Sequence, residues 1–201
     1  MPILPPETAL FPDNLLEEEL PTELEGRTWW VLQTRPRQEK SLARDLLDRQ
    51  VGFYLPLLER SNVIRGRVFQ SQIPLFPGYV FLLGSDQDRI PALATRRIVR
   101  PLVVADQARL WHDLRHLHRL LLSGEPITPE QRLLPGMLVE ITTGPLAGLQ
   151  GKVLRLDSRR RFVVGVEFMQ QGVSVLLDDC TQVRVIHEED RTAPPRPCFA
   201  R

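Results

Sequence analysis

The chain has 201 residues, 42% of them hydrophobic, with 26 Lys and Arg against 25 Asp and Glu and a formal net charge of +1. That allows one domain or two small ones with ordinary cores, and two cysteines, Cys180 and Cys198, are too few for a disulfide framework or a cysteine zinc site. No apolar run reaches membrane-spanning length and residues 1–26 carry no Lys or Arg, so the expectation is a cytoplasmic protein without a membrane span or signal-peptide charge pattern.

The near-neutral sum hides an asymmetry. Residues 1–26 contain seven acids and no base, whereas residues 27–122 contain sixteen Lys and Arg against eight Asp and Glu. A basic module behind an acidic tail fits a domain that faces a polyanion. Its bland counterpart is ordinary solvated surface charge.

Pro2, Pro5, Pro6, Pro12 and Pro21 among those acids predict a disordered tail over 1–26. Leu15, Leu16 and Leu20 offer a short docking turn there, but the inert tail is the favoured reading. Trp29–Gln33 reads as a first strand. Pro36 suits the first position of a helix, which places Leu42, Ala43, Leu46 and Leu47 on one stripe and Arg37, Lys40 and Arg44 on another. Phe53–Leu55 reads as a strand, and 63–68 as a hairpin turning at Gly66. Pro77-Gly78 is a turn, after which Tyr79–Leu83 runs on as a strand. Period two then sends Tyr79 and Phe81 to one face and Val80 and Leu82 to the other, so both faces should be covered. Ser85 caps a helix near 86–95. Pro101 marks 98–104 as an edge strand. Leu110, Leu114, Leu117 and Leu121 define a helix over 107–122.

Ser123-Gly124-Glu125-Pro126, followed by Pro129 and Pro135, sets a linker at 123–134. Beyond it, five short strands are expected at 137–141, 152–156, 162–168, 173–177 and 182–185, a pattern that suggests a small barrel over 135–187. The tail 188–201, with Pro194, Pro195 and Pro197, is expected to be disordered. Gly144, Gly148 and Gly151 supply positive φ or close backbone approach, while Leu146 and Leu149 either plug the barrel end or meet a partner. His112, His116 and His118 share a helix but lack a local acid or cysteine to complete a metal site. No nucleophile–base pair and no phosphate loop is present, so neither an enzyme nor a cofactor is expected.

Two runs carry a family resemblance. Trp29-Trp30-Val31-Leu32-Gln33 followed by Leu75-Phe76-Pro77-Gly78-Tyr79-Val80-Phe81 resembles the amino-terminal (NGN) domain of NusG transcription factors. Gly136-x-x-Val139-x-Ile141-x-x-Gly144-Pro145-Leu146-Ala147-Gly148-Leu149-x-Gly151 resembles the KOW motif that follows it in that family. The resemblance implies an α+β fold: an NGN domain over 27–122, with an antiparallel sheet flanked by helices in ferredoxin-like layering, then a five-stranded SH3-like KOW barrel. Pro36–Lys40, Tyr54-Leu55-Pro56, Ile64–Arg67 with Pro74–Pro77, and Phe168–Val175 are similar to the specialised branch that includes RfaH and the capsular-polysaccharide antiterminators.

It further implies a monomeric transcription elongation or antitermination factor. Trp29, Trp30, Phe76, Pro77, Tyr79 and Phe81 match the patch that docks on the clamp helices of bacterial RNA polymerase. Each Trp also reads as core, and core is favoured; Phe76, beside the turn, is expected in contact, so its truncation should leave the fold intact. Arg35, Arg37, Lys40, Arg44 and Arg96 match or neighbour positions that touch the non-template DNA strand. Gly144, Pro145, Leu146, Gly148, Leu149 and Gly151 would recruit Rho or a small-subunit ribosomal protein. Two features depart from the RfaH pattern: Asp86–Pro91 replaces a His-Thr-Thr run, and Ile73 replaces the Glu of an interdomain salt bridge. With Val-rich 162–166, that second change argues for a β rather than helical second domain. The rival reading is an RNA-binding KOW protein of ribosome assembly or translation, for which Arg159–Arg161 is the basic cluster.

Overall fold

The computed structural model describes residues 7–16, 26–64, 67–130, 132, 136–156, 159–178 and 181–186. The remaining parts of the acidic tail, the tail 188–201, the turns at Gly66 and Asp157-Ser158, and both cysteines lie outside the described residues. The chain divides into two compact units, Met1–Gln107 and Ala108–Arg201.

The first unit contains, in chain order, β1 (Leu10–Phe11), β2 (Thr28–Thr34), α1 (Glu39–Asp48), β3 (Gly52–Tyr54), β4 (Leu57–Ile64), β5 (Arg67–Pro74), β6 (Tyr79–Gly84), α2 (Asp86–Ala94) and β7 (Ile98–Val103). β4 and β5 pair as a hairpin of their own. The other strands form an antiparallel sheet in the order β1-β3-β6-β2-β7. Its faces follow the period of two. The registers Leu32↔Val80 and Phe53↔Leu82 set one apolar face, on which Leu42, Ala43 and Leu46 of α1 and Ala92 of α2 pack. Trp29↔Leu83, Val31↔Phe81 and Tyr54↔Phe81 set the other. Those five side chains are buried as well, so both faces are covered. Each buried aromatic or aliphatic side chain contributes about 1.5–3 kcal/mol.

Local signals act as their chemistry requires at α2. Ser85 Oγ accepts from the Asp88 N–H, and the Asp88 carboxylate accepts from the Ser85 N–H at 2.8 Å, a closed capping box. α1 behaves otherwise. Pro36 is not its first residue; the helix begins at Glu39 because Arg37 has a φ of 61° and breaks the helical path.

The amino-terminal segment also departs from expectation. β1 extends the sheet through Leu10↔Tyr54 and Phe11↔Phe53, and Leu10, Leu15 and Leu16 are buried. Four apolar side chains between residues 10 and 16 outweigh the acids and prolines that argued for disorder. The Phe11 and Phe53 rings stack at 6.5 Å.

The second unit contains most of α3 (Gln107–Leu122), then β8 (Ile127–Glu130), β9 (Met137–Ile141), β10 (Gln150–Leu156), β11 (Arg159–Val166), a 3-10 turn at Glu167–Met169, β12 (Gln171–Leu177) and β13 (Val183–Val185). The strands form one antiparallel sheet in the order β13-β9-β10-β11-β12-β8. Among the described residues this sheet does not close: β13 and β8 are its edges, and the expected closed five-stranded barrel is not seen. The linker 123–134 contains β8, held by Glu130, whose Oε1 accepts from Ser174 Oγ at 2.6 Å and from Arg161 at 3.0 Å. By compactness the chain divides at Gln107/Ala108, so most of α3 counts with the second unit. α3 joins the second unit because its polar side chains grip the strand connections: Arg109 pairs with Glu167, Asp113 accepts from the Glu167 N–H at 2.8 Å, and Arg119 donates to Ala147 O at 3.0 Å. The helix ends at Leu122, as the residues foretell.

Leu16→Ala tests whether the amino-terminal segment belongs to the fold. Leu16 is 1% exposed, so the substitution is expected to cost about 2–5 kcal/mol. Urea denaturation should show a lower midpoint, whereas an inert tail would leave it unchanged.

Candidate functional site

One end of the first sheet gathers most of the residues singled out in the sequence. Where β2 stops, Thr34 donates its N–H to Gly78 O at 2.8 Å, which brings the Pro77-Gly78 turn beside the loop that enters α1. Arg35 donates its N–H to Arg97 O at 2.8 Å, which brings in the loop between α2 and β7. Three connections far apart in sequence thus meet. The buried Glu39 carboxylate holds the turn to α1: it accepts the Gly78 N–H at 2.6 Å. Gly78 has a φ of 85°, which a side chain would strain.

Arg35, Arg37 and Arg96 project from these loops and are exposed. Among the described residues none of the three makes an ion pair. Arg37 and Arg96 both hold a left-handed backbone, with φ of 61° and 59°. Arg97 is different: it pairs with Asp45 at 2.7 Å and donates to Gln38 Oε1 at 2.6 Å, tying the two loops together. Arg100, exposed on β7 and bonded to Gln33 at 2.8 Å, adds a cation that the sequence reading missed. The β2–β7 register, Gln33↔Arg100, places it there, and no local signal announces that register. Lys40 is half-buried and Arg44 exposed on α1. Arg44 grips Glu7, with Nε to Oε2 at 3.0 Å. The hydrogen bond from Arg44 is the main cause that holds the Glu7 carboxyl below its ordinary value; partial burial opposes it, and the positive charges of Arg44 and Lys40 add to it.

The aromatic patch is not one surface. Trp29, Phe76 and Phe81 are at most 1% exposed. Phe76 meets Phe81 edge-on at 5.8 Å, and Tyr54 meets Phe81 at 6.4 Å. Burial pushes the Tyr54 phenol well above its usual range. The expectation that Phe76 can be removed with the fold intact therefore fails: it is part of the packing. Trp30 is half-buried on the helix-bearing face, under the Arg89 guanidinium at 4.7 Å, and the sheet separates it from Phe81. Pro77 is exposed and Tyr79 half-buried, and these two remain reachable beside the arginine loops.

In the second unit, Gly144 and Gly148 have φ of 83° and 79°. Gly151 serves close approach: a Cβ there would meet Val163 O at 2.5 Å and the Phe162 ring at 2.8 Å. Leu146 and Leu149 are buried. Gly144 and Pro145 are exposed. Ala147 and Gly148 have their carbonyls engaged by Arg119. His112 and His116 stack at 6.4 Å, and His116 Nδ1 accepts from the Gln150 N–H at 3.5 Å. Among the described residues, no three His, Cys, Asp or Glu are placed to hold a metal, and no helix is long and apolar enough to cross a membrane.

Residues 27–117 match the family model described as transcription termination factor nusG. The NusG likeness is thus carried by the sheet that holds the arginine loops and by the first part of α3. A comparison with curated proteins finds no match. Among solved structures, one described as "Domain interaction in Thermotoga maritima NusG" is similar, at 17% identity over 82% of this chain and 99% of that chain, with a TM-score of 0.43.

Two outcomes follow from this geometry. Phe76→Ala is expected to cost about 3–5 kcal/mol of stability, and Tyr79→Ala much less, as denaturant melts of the two variants would show. The Glu7–Arg44 pair gives a pH signature. A lowered folded-state value means that its stabilisation is fully present above the ordinary glutamate range and is lost as pH falls through the lowered value. Wild type should melt above Glu7→Gln at neutral pH, and the gap should close in acid.

Proposed function

We propose that the chain is a cytoplasmic, non-catalytic transcription elongation and antitermination factor that binds RNA polymerase through its first unit. The observation that carries this reading is the family match over 27–117, on the sheet whose end assembles the Pro77-Gly78 turn and the arginine loops. Pro77 and Tyr79 make the accessible contact with the clamp helices, backed by Phe76, Phe81 and Trp29. Arg35, Arg37 and Arg96, with Lys40 and Arg44 nearby, face the non-template DNA strand, where the planar guanidinium suits phosphates and guanine edges. The factor acts by binding one state of the polymerase more tightly than the others.

The second unit recruits a further partner, Rho or a small-subunit ribosomal protein, through the exposed Gly144-Pro145 end of its glycine-rich loop. The motif runs named above favour the specialised antiterminators over the general factor. Of the basic cluster behind the rival RNA-binding reading, Arg160 donates to the Asp178 and Thr181 carbonyls, at 2.8 and 3.2 Å, and Arg161 pairs with Glu130.

Purified bacterial RNA polymerase should retain the full chain on a column. A Pro77→Ala, Tyr79→Ala double variant should lose about 1–3 kcal/mol of that affinity. A folded double variant that binds as tightly as wild type removes this end of the sheet from the interface, and absence of binding by wild type removes the function.

A further inference from the structure

The residues that hold Arg44 are as informative as Arg44 itself. Glu7 sits at the start of a segment fixed on both sides. Its N–H donates to Gln72 Oε1 at 2.9 Å. Two residues on, Ala9 O accepts the Leu55 N–H at 2.6 Å, and β1 follows in register with β3. Leu10, Leu15 and Leu16 are buried. The carboxylate is therefore held at α1 by apolar packing and backbone bonds, independently of the ion pair it makes there. Arg44 is 60% exposed, so its guanidinium swings to another anion at little cost, while Glu7 stays.

We propose that residues 7–16 form an acidic strap whose Glu7 carboxylate competes with single-stranded DNA for Arg44, and so sets how much of the basic face is available. The proposal rests on the reading that this face contacts DNA. The tethered carboxylate has a high effective concentration at Arg44, so a phosphate must displace it. The strap does not have to undock, because only the ion pair exchanges. Arg35, Arg37 and Arg96 lie in other loops and stay open, and the strap lowers affinity without abolishing it. Lys40, one turn before Arg44 on α1, also feels the Glu7 charge.

The test titrates full-length protein against a fluorescein-labelled single-stranded oligodeoxynucleotide across a salt series. Glu7→Gln keeps the side chain's size and the backbone bonds of the strap while removing its charge. It should bind about two- to fivefold tighter, the range that one exposed ion pair spans, and its log–log salt slope should steepen by about 0.7, the increment for one further phosphate contact on a single strand. Arg44→Gln should weaken binding more in the Glu7→Gln background than in wild type. If Glu7→Gln binds as wild type does while an Arg35, Arg37, Arg96 triple Ala variant loses binding, the face contacts DNA and the strap proposal is overturned alone. If the triple variant also binds as wild type does, the DNA reading fails and the strap falls with it.

Discussion

The hydrogen bond from the Gly78 N–H to the buried Glu39 carboxylate joins two parts of the first unit that the chain visits at different times, the Pro77-Gly78 turn and α1. A carboxylate 6% exposed is costly unless its oxygens are bonded. The bond to a backbone N–H is charge-assisted and strong. It also sits in the first turn of α1, where negative charge is favoured. The Pro77-Gly78 turn is thereby fixed to the helix, and Gly78 O in turn receives Thr34 at the end of β2. The loop from Arg35 to Gln38 has little freedom left between these anchors. Removal of that carboxylate would free the turn from the helix, while Arg97 still holds the α2–β7 loop to Asp45 and Gln38.

The second unit solves a similar problem with different chemistry. Its sheet has two edges, and an unpaired edge is a hazard that a fold must cover or shorten. β13 is three residues long, and β8 brings Pro129, which has no N–H to offer a neighbouring strand. Glu130 ends β8 in a polar bond to buried Ser174. The strand that closes the unit on that side therefore comes from the segment that composition marked as a linker.

The residues show how far a sequence reading reaches. Periodicity placed β2, β6, α2 and α3 within a residue or two, because each has a local reason: alternation, a capping box, a leucine stripe. The Pro-Gly turn and the glycine-rich loop were legible because few residues tolerate their backbone. What failed was non-local. Leu10 and Phe11 read as tail because their place depends on β3, some forty residues away. Phe76 read as contact because a Pro-Gly turn argues for surface, yet the Phe81 ring lies against it. Arg100 was missed because its place depends on register. The leucines of α3 say only that one face is buried, while Arg109, Asp113 and Arg119 decide what it grips.

The arginine loops carry one more argument. A left-handed backbone at a residue with a side chain costs about 1–2 kcal/mol, and glycine would remove that cost. Two such positions, Arg37 and Arg96, adjoin each other through the Arg35–Arg97 bond, and both carry exposed arginine. Neither guanidinium makes an ion pair among the described residues, so no such contact there offsets the strain. Backbone strain of this kind points to a task performed outside the fold. Arg97 between them supplies the contrast, since its φ is not among the positive ones and its side chain is spent on Asp45 and Gln38. The same short run therefore separates the arginine that builds the site from the arginines that the proposed function uses.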